Sequence, residues 1–270
     1  MIRRVALSLV MLALVATPAF AQDPDPDLAV NAVQPDFTLA ALPTTLRVPK
    51  GKGAFRVTHR FLQPFNQGGF SHVAENFFGI DAGASVGIEY RFGLMSGTQI
   101  GVHRTTDRTI QLFAQHEVVA QGDRSPVDVQ VWAGIDGTNN MRDSYSPSLG
   151  AVISREVGSR AALYVMPIWI DNTNPLPSAL VDDNDTVAVG LGARLRIRPR
   201  VYLVLEAMPR VSGYSPDDTH IAIGLERRSG GHAFQLTFAN GFSTTLANVA
   251  RGVTSSDNWY LGFSISRKFW

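Results

Sequence analysis

Cysteine is missing from the chain altogether. That removes disulfide staples, thiolate metal sites and thiol nucleophiles together, so stability has to come from hydrogen bonding and apolar burial. Long apolar runs are missing too. The longest, Val5 to Val15, falls short of the ~20 residues that a helix needs to cross a bilayer, and nothing later approaches that length, which excludes a helical membrane protein. Neither sign of charge dominates: 24 basic residues against 23 acidic ones leave a net charge of +1, and no nucleic-acid partner is expected from that balance.

What is present begins with a secretory signal. Arg3 and Arg4 precede the apolar run, and Ala19-Phe20-Ala21 supplies a small-x-small cleavage site. Cleavage before Gln22 removes two arginines and no acid, so the mature chain carries −1. Gln22 to Leu46 opens DPDPD and continues as a proline-broken, weakly apolar stretch. Proline withholds backbone donors, and this stretch is expected to be a periplasmic tail or linker, with the main domain spanning 47–270.

From Ala54 the hydrophobic period becomes two and stays there. Phe55, Val57, His59 and Phe61 alternate with Arg56, Thr58 and Arg60, and Val86, Ile88, Tyr90 and Phe92 with Gly87, Glu89, Arg91 and Gly93. Thr186 to Ile197 is the clearest case, with Val187, Val189, Leu191, Ala193, Leu195 and Ile197 on one face. One face suits hydrocarbon and the other water. Further strands are expected at 97–104, 109–120, 127–135, 148–156, 161–170, 201–210, 220–227, 232–239 and 259–269, for about twelve in all.

The connections separate into two sets. Those at 94–97, 121–126, 157–160, 198–200 and 227–231 are short; those at 62–84, 136–147, 171–185, 211–219 and 240–258 are long, and only Thr105 to Asp107 breaks the alternation. Short periplasmic turns and long outer loops are the habit of bacterial outer-membrane barrels. The expected fold is therefore all-β: a transmembrane antiparallel up-and-down β-barrel in the outer membrane of a Gram-negative bacterium. A soluble sandwich also alternates but does not predict this sidedness. The closing strand WYLGFSISRKFW carries the aromatic end, Phe269 and Trp270, that barrel-assembly machinery recognises, although Lys268 and Ser266 interrupt its apolar parity.

Four segments, LRVPKGKGAFRVTHRF (46–61), FFGIDAGASVGIEYRFGLMSGTQIGVHRTTDRTIQLF (77–113), GGHAFQLTFANG (230–241) and GFSISRKF (262–269), resemble an uncharacterised bacterial family of outer-membrane β-barrels, the domain-of-unknown-function family 5777. The resemblance implies the architecture, and it carries no reaction, ligand or site residue.

Motifs that suggest chemistry lack their context. Gly83 to Gly87 reads G-x-S-x-G, but a nucleophile elbow needs a strand-to-helix turn and a strand follows Ser85. His116-Glu117 opens an HExxH whose fifth residue is Ala120. Asp182, Asp183 and Asp185 lack the fixed spacing of a calcium loop. His59 and His116 fall on the lipid-facing parity with no nucleophile in reach. No metal, cofactor or enzymatic activity is expected.

The inward parity is more suggestive. It collects Arg56, Arg60, Arg91, Arg194, Arg196, Arg210 and Lys268 against Glu89, Glu117, Asp128, Glu156, Glu206 and Glu226. In a narrow barrel such charges act either as paired struts or as a filter. The leading functional expectation is a pore for small polar solutes. The alternative is a closed barrel with a structural role, or one docking a periplasmic partner through 22–46, and an outer-membrane hydrolase is a distant third. Expected surroundings are outer-membrane lipid, lipopolysaccharide and the barrel-assembly machinery.

Overall fold

The computed structural model describes residues 31–270 except 66–70, 72–73, 78–80, 82, 217 and 253–256; the signal expected at 1–21 and the DPDPD stretch lie outside the described residues. Thirteen strand segments follow one another: β1 Gly53–Pro64, β2 Ala84–Met95, β3 Thr98–Thr105, β4 Ile110–Val119, β5 Asp128–Gly137, β6 Tyr145–Val157, β7 Ala161–Ile170, β8 Thr186–Arg198, β9 Val201–Met208, β10 Arg210–Gly213, β11 His220–Ser229, β12 His232–Ala239 and β13 Tyr260–Lys268. Every neighbouring pair is antiparallel, β1 is flanked by β13 and β2, and the β8–β9 pairing closes the ring. β10 resumes β9 along β8 after a break at Pro209, which has no N–H to give. The wall is thus a closed twelve-stranded barrel with no free edge for another chain to pair with.

The alternation read from the sequence determines which face each side chain takes. Val57 lies opposite Ile265 and Ile88 in the two neighbouring ladders, and Ile88, Ile100, Leu112, Val131, Leu149, Leu163, Leu191, Ile223 and Phe234 are exposed on the outside. Arg56, Arg60, Glu89, Arg91, Arg194, Glu206 and Glu226 are buried. Apolar outside and charged inside suits a wall whose outer solvent is hydrocarbon. Ser85 sits inside β2, paired with Arg60, so no elbow turn forms there.

Two segments fill the interior, and one of them corrects the expectation of a tail at 22–46 for its described part, 31–46. Residues 31–50 run up the lumen and back. Val33, Phe37, Leu39, Leu42 and Val48 are each at most 2% exposed, far from what a solvated linker would show. The segment is a hairpin: the Leu39 N–H donates to the Leu42 carbonyl (2.8 Å), the Thr44 N–H to the Phe37 carbonyl (2.8 Å), and Thr38 bridges Pro43. The second filler is the loop between β12 and β13, whose short helix Leu246–Ala250 buries Leu246, Ala247, Val249 and Ala250.

Candidate functional site: the filled lumen

The tip of the hairpin, Leu39 to Leu42, is gripped by charged wall residues. Glu206 on β9 accepts three consecutive backbone N–H groups at Oε2: Ala40 (2.8 Å), Ala41 (3.0 Å) and Leu42 (3.0 Å). Successive amides converging on one carboxylate form an anion-binding concavity. His220 on β11 touches the other oxygen, Oε1, at 3.2 Å. From β1, Arg60 donates to the Ala40 carbonyl (3.2 Å), and Arg56 donates to the carbonyls of Leu39 (3.3 Å) and Ala40 (3.4 Å).

Lower down, Arg194 on β8 donates to the carbonyls of Asp36 (3.1 Å) and Thr38 (3.0 Å) while pairing with Glu226 at 3.0 Å, both side chains fully buried. Arg91 pairs with Glu89, donates to Thr38 Oγ1 (3.2 Å), and lies over the rings of Phe37 and Phe113. The returning arm meets a row of glutamines: Gln115 donates to the Thr44 carbonyl (2.7 Å), Gln130 to that of Thr45 (2.6 Å) and Gln99 to that of Leu46 (3.1 Å). At the periplasmic mouth Arg47 pairs with Glu117, and Glu156 accepts from Asn31 (2.6 Å) and Gln34 (2.7 Å).

The far arc of the wall is apolar. Trp132, Val152, Tyr164, Met166, Ile168 and Val204 pack with Val33, Leu39 and Leu42. Leu42 seats against Gly190, where a Cβ would come within 2.8 Å of it, and Leu39 seats against Gly192. This explains why β7 is apolar on both faces: one meets lipid and the other meets the hairpin.

At the outer mouth, Arg210 on β10 caps the short helix by donating to the carbonyls of Val249 (3.0 Å) and Ala250 (2.9 Å), as a cation at a helix C-terminus should. Arg251 donates to Ser146 Oγ (2.8 Å) and to the Asn172 carbonyl (3.2 Å). Burial lowers the Arg251 pKa from its ordinary value, and the charges of Asp136 and Asp107 oppose the shift.

The structure therefore gathers Arg56, Arg60, Glu89, Arg91, Arg194, Glu206 and Glu226 around one hairpin. It places Glu117 and Asp128 at the periplasmic end, half-buried. Arg196 turns to the Ser159 carbonyl in the short β6–β7 turn (3.3 Å), and Arg210 serves the outer loop. Lys268 lies over the Phe37 and Trp270 rings. Phe269 is exposed, whereas Trp270 packs edge-on against Phe37 at 6.1 Å. His59 stacks on Phe263 at 4.8 Å, and His116 is exposed beside Thr98. Among the described residues, no group of three or more His, Cys, Asp or Glu could hold a metal ion. Sequence reasoning missed the hairpin and the glutamines. One signal was available: Asp36 is the only charge from Leu28 to Leu46, too few for a segment left in water.

A family described as a membrane bound beta barrel domain, DUF5777, matches residues 36–269. The chain belongs to this family. The match begins inside the hairpin, so the luminal tip is part of the DUF5777 domain. No curated protein matches in sequence. Among solved structures, the NanC porin is similar at TM-score 0.52 and 7% identity, covering 80% of this chain and 98% of its own. The KdgM porin, solved in complex with disordered oligogalacturonate, gives 0.50 and 8%, covering 81% and 99%. An outer membrane channel from Pseudomonas putida F1 gives 0.50 and 12%, covering 83% and 97%. At these identities the likeness is one of fold. The DUF5777 protein is an outer-membrane β-barrel.

Proposed function

We propose that the protein is a gated channel for small polar solutes, held shut by its own N-terminal hairpin. The observation that carries this reading is how the hairpin is attached. Its isolated bridges are Thr38 to Pro43, within itself, and Lys50 to Gly93, where it enters β1, and it shares no ladder with any strand of the wall. Side chains of the wall hold it instead, by hydrogen bonds to its backbone. Water can replace each of those bonds if the hairpin withdraws toward the periplasm, and the charged arc then lines an aqueous path. The fold shared with porins supports the same reading, and the channel is passive rather than enzymatic. While seated, residues 33–45 are buried inside and unavailable to a periplasmic partner.

The test is planar-bilayer conductance of the refolded mature chain beside a chain lacking residues 22–50, with folding of both checked by heat-dependent gel mobility. The whole chain is expected to open rarely and briefly, and the shortened chain to give sustained, salt-proportional steps. Silence from both folded proteins would favour a permanently closed structural barrel.

A further inference from the structure

We infer that the seat of Ala40 is a binding site for small zwitterionic α-amino acids and short peptides, occupied at rest by the hairpin's own backbone. The inference rests on the channel reading, because a solute reaches the seat only when the hairpin leaves it, and it deepens that reading by naming the solute class.

Both backbone ends of this one residue are held by the wall, one from β9 and the other from β1. The Ala40 N–H points at Glu206 Oε2 (2.8 Å), and the Ala40 carbonyl receives Arg60 Nη2 (3.2 Å) and Arg56 Nη2 (3.4 Å). A free α-amino acid carries its ammonium and carboxylate on one Cα, in the places of that N–H and that carbonyl. Its ammonium would face Glu206 and its carboxylate the two guanidiniums, turning hydrogen bonds charged on the wall side alone into ion pairs charged on both sides.

The charges of the wall support this. Glu89 has Arg91 and Glu226 has Arg194. The carboxylate nearest Arg56 is Asp36 of the hairpin, at 3.7 Å, and Arg56 Nε has no hydrogen-bond partner. Arg60 has no carboxylate within 4.0 Å among the described residues, although it is 1% exposed. When the hairpin departs, two guanidiniums and one carboxylate, steadied by His220 at Oε1, remain facing one space. Size is limited by the neighbours of the Ala40 methyl, Ala222 and Ala239, which form one buried cluster with it. Small side chains fit there, and aromatic ones do not.

The experiment starts from the full mature chain, folded with a protease site inserted at the Gly51–Lys52 turn, then cut and washed free of the hairpin. Rebinding of a synthetic peptide of residues 31–50 reports that the seat is intact, and calorimetry reports ligand binding without any current. L-alanine and L-alanyl-L-alanine are expected to bind saturably and to displace the peptide. Acetate and ethylammonium should bind at least tenfold more weakly, as should L-phenylalanine. Arg60→Met and Glu206→Gln should each weaken alanine binding at least tenfold. Three results would overturn the assignment: a peptide that rebinds while alanine does neither, acetate binding as tightly as alanine, or a cut hairpin that never leaves. Each stands apart from the conductance test, so failure of the site and failure of the channel remain distinguishable.

Discussion

The hairpin rising from the periplasmic end and the loop descending from the outer end share one apolar cluster, in which Leu39 and Leu42 meet the same wall as Leu246 and Val249. Their polar anchors differ. The hairpin is gripped along its length by charged side chains that the wall supplies from β1, β2, β8 and β9. The loop is held around its short helix, by Arg210 at the helix end, by its own Arg251, and by Asn248, which donates to Asp107 Oδ2 (3.2 Å) and Thr109 Oγ1 (3.4 Å). The hairpin's anchors are spread over four strands and the loop's are clustered around one helix, and the two sets share no residue. The two fillers should therefore respond independently to mutation.

The largest effect is expected from Arg194→Met, which strips two hairpin carbonyls of their donor and leaves Glu226 buried without its partner. Breaking a buried pair costs about 3–5 kcal/mol, visible as a lower temperature for loss of the fast-migrating folded band on gels. Adding Glu226→Leu should recover most of it, and no recovery would mean the pair itself is not what Arg194 sustains.

Glu206→Gln comes next. It replaces charge-assisted acceptance of three amides with neutral acceptance, and bonds to a charged group contribute roughly 1.5–3 kcal/mol. Hydrogen exchange at Ala40 to Leu42 should quicken by about 10- to 100-fold, while exchange at Leu246 to Ala250 stays unchanged. Arg251→Ala should do the reverse, loosening the loop by about 1–2 kcal/mol and leaving the hairpin amides protected. If either variant loosens both segments equally, the proposed independence is wrong. The smallest effect is expected at the mouth, where the Arg47 and Glu117 side chains are 30% and 18% exposed. Arg47→Ala should change stability by less than about 1 kcal/mol, read from the same gel transition.

The wall was legible in the sequence because a period of two is a local signal. The expected 161–170 and 232–239 coincide with β7 and β12. Departures occur where proline interrupts that signal. β6 starts at Tyr145, before Pro147, because Tyr145 to Pro147 still pair with Gly137 to Ile135. Strand pairing likewise resumes beyond Pro209 as β10. Arg56, Arg60, Arg194 and Glu206, which share the charged parity, are buried beside the hairpin. What they hold was not legible. The hairpin has no period, and its partners are scattered along the chain, from Arg60, 20 residues from Ala40, to Glu206, 166 residues from it. A proline-broken, nearly uncharged segment reads as a linker until a closed wall is built around it.

The central claim is that the hairpin is the gate, and the cysteine-free chain allows a direct test. The Thr45 and Ser154 hydroxyl oxygens lie 2.5 Å apart across the hairpin–wall contact, so Thr45→Cys with Ser154→Cys should form a reversible lock there. Conductance of this double variant, recorded in one bilayer before and after reduction, tests the claim most directly. The account predicts silence when oxidised and channel openings once reduced. Equal conductance in both states, with the crosslink confirmed by mass, would contradict it.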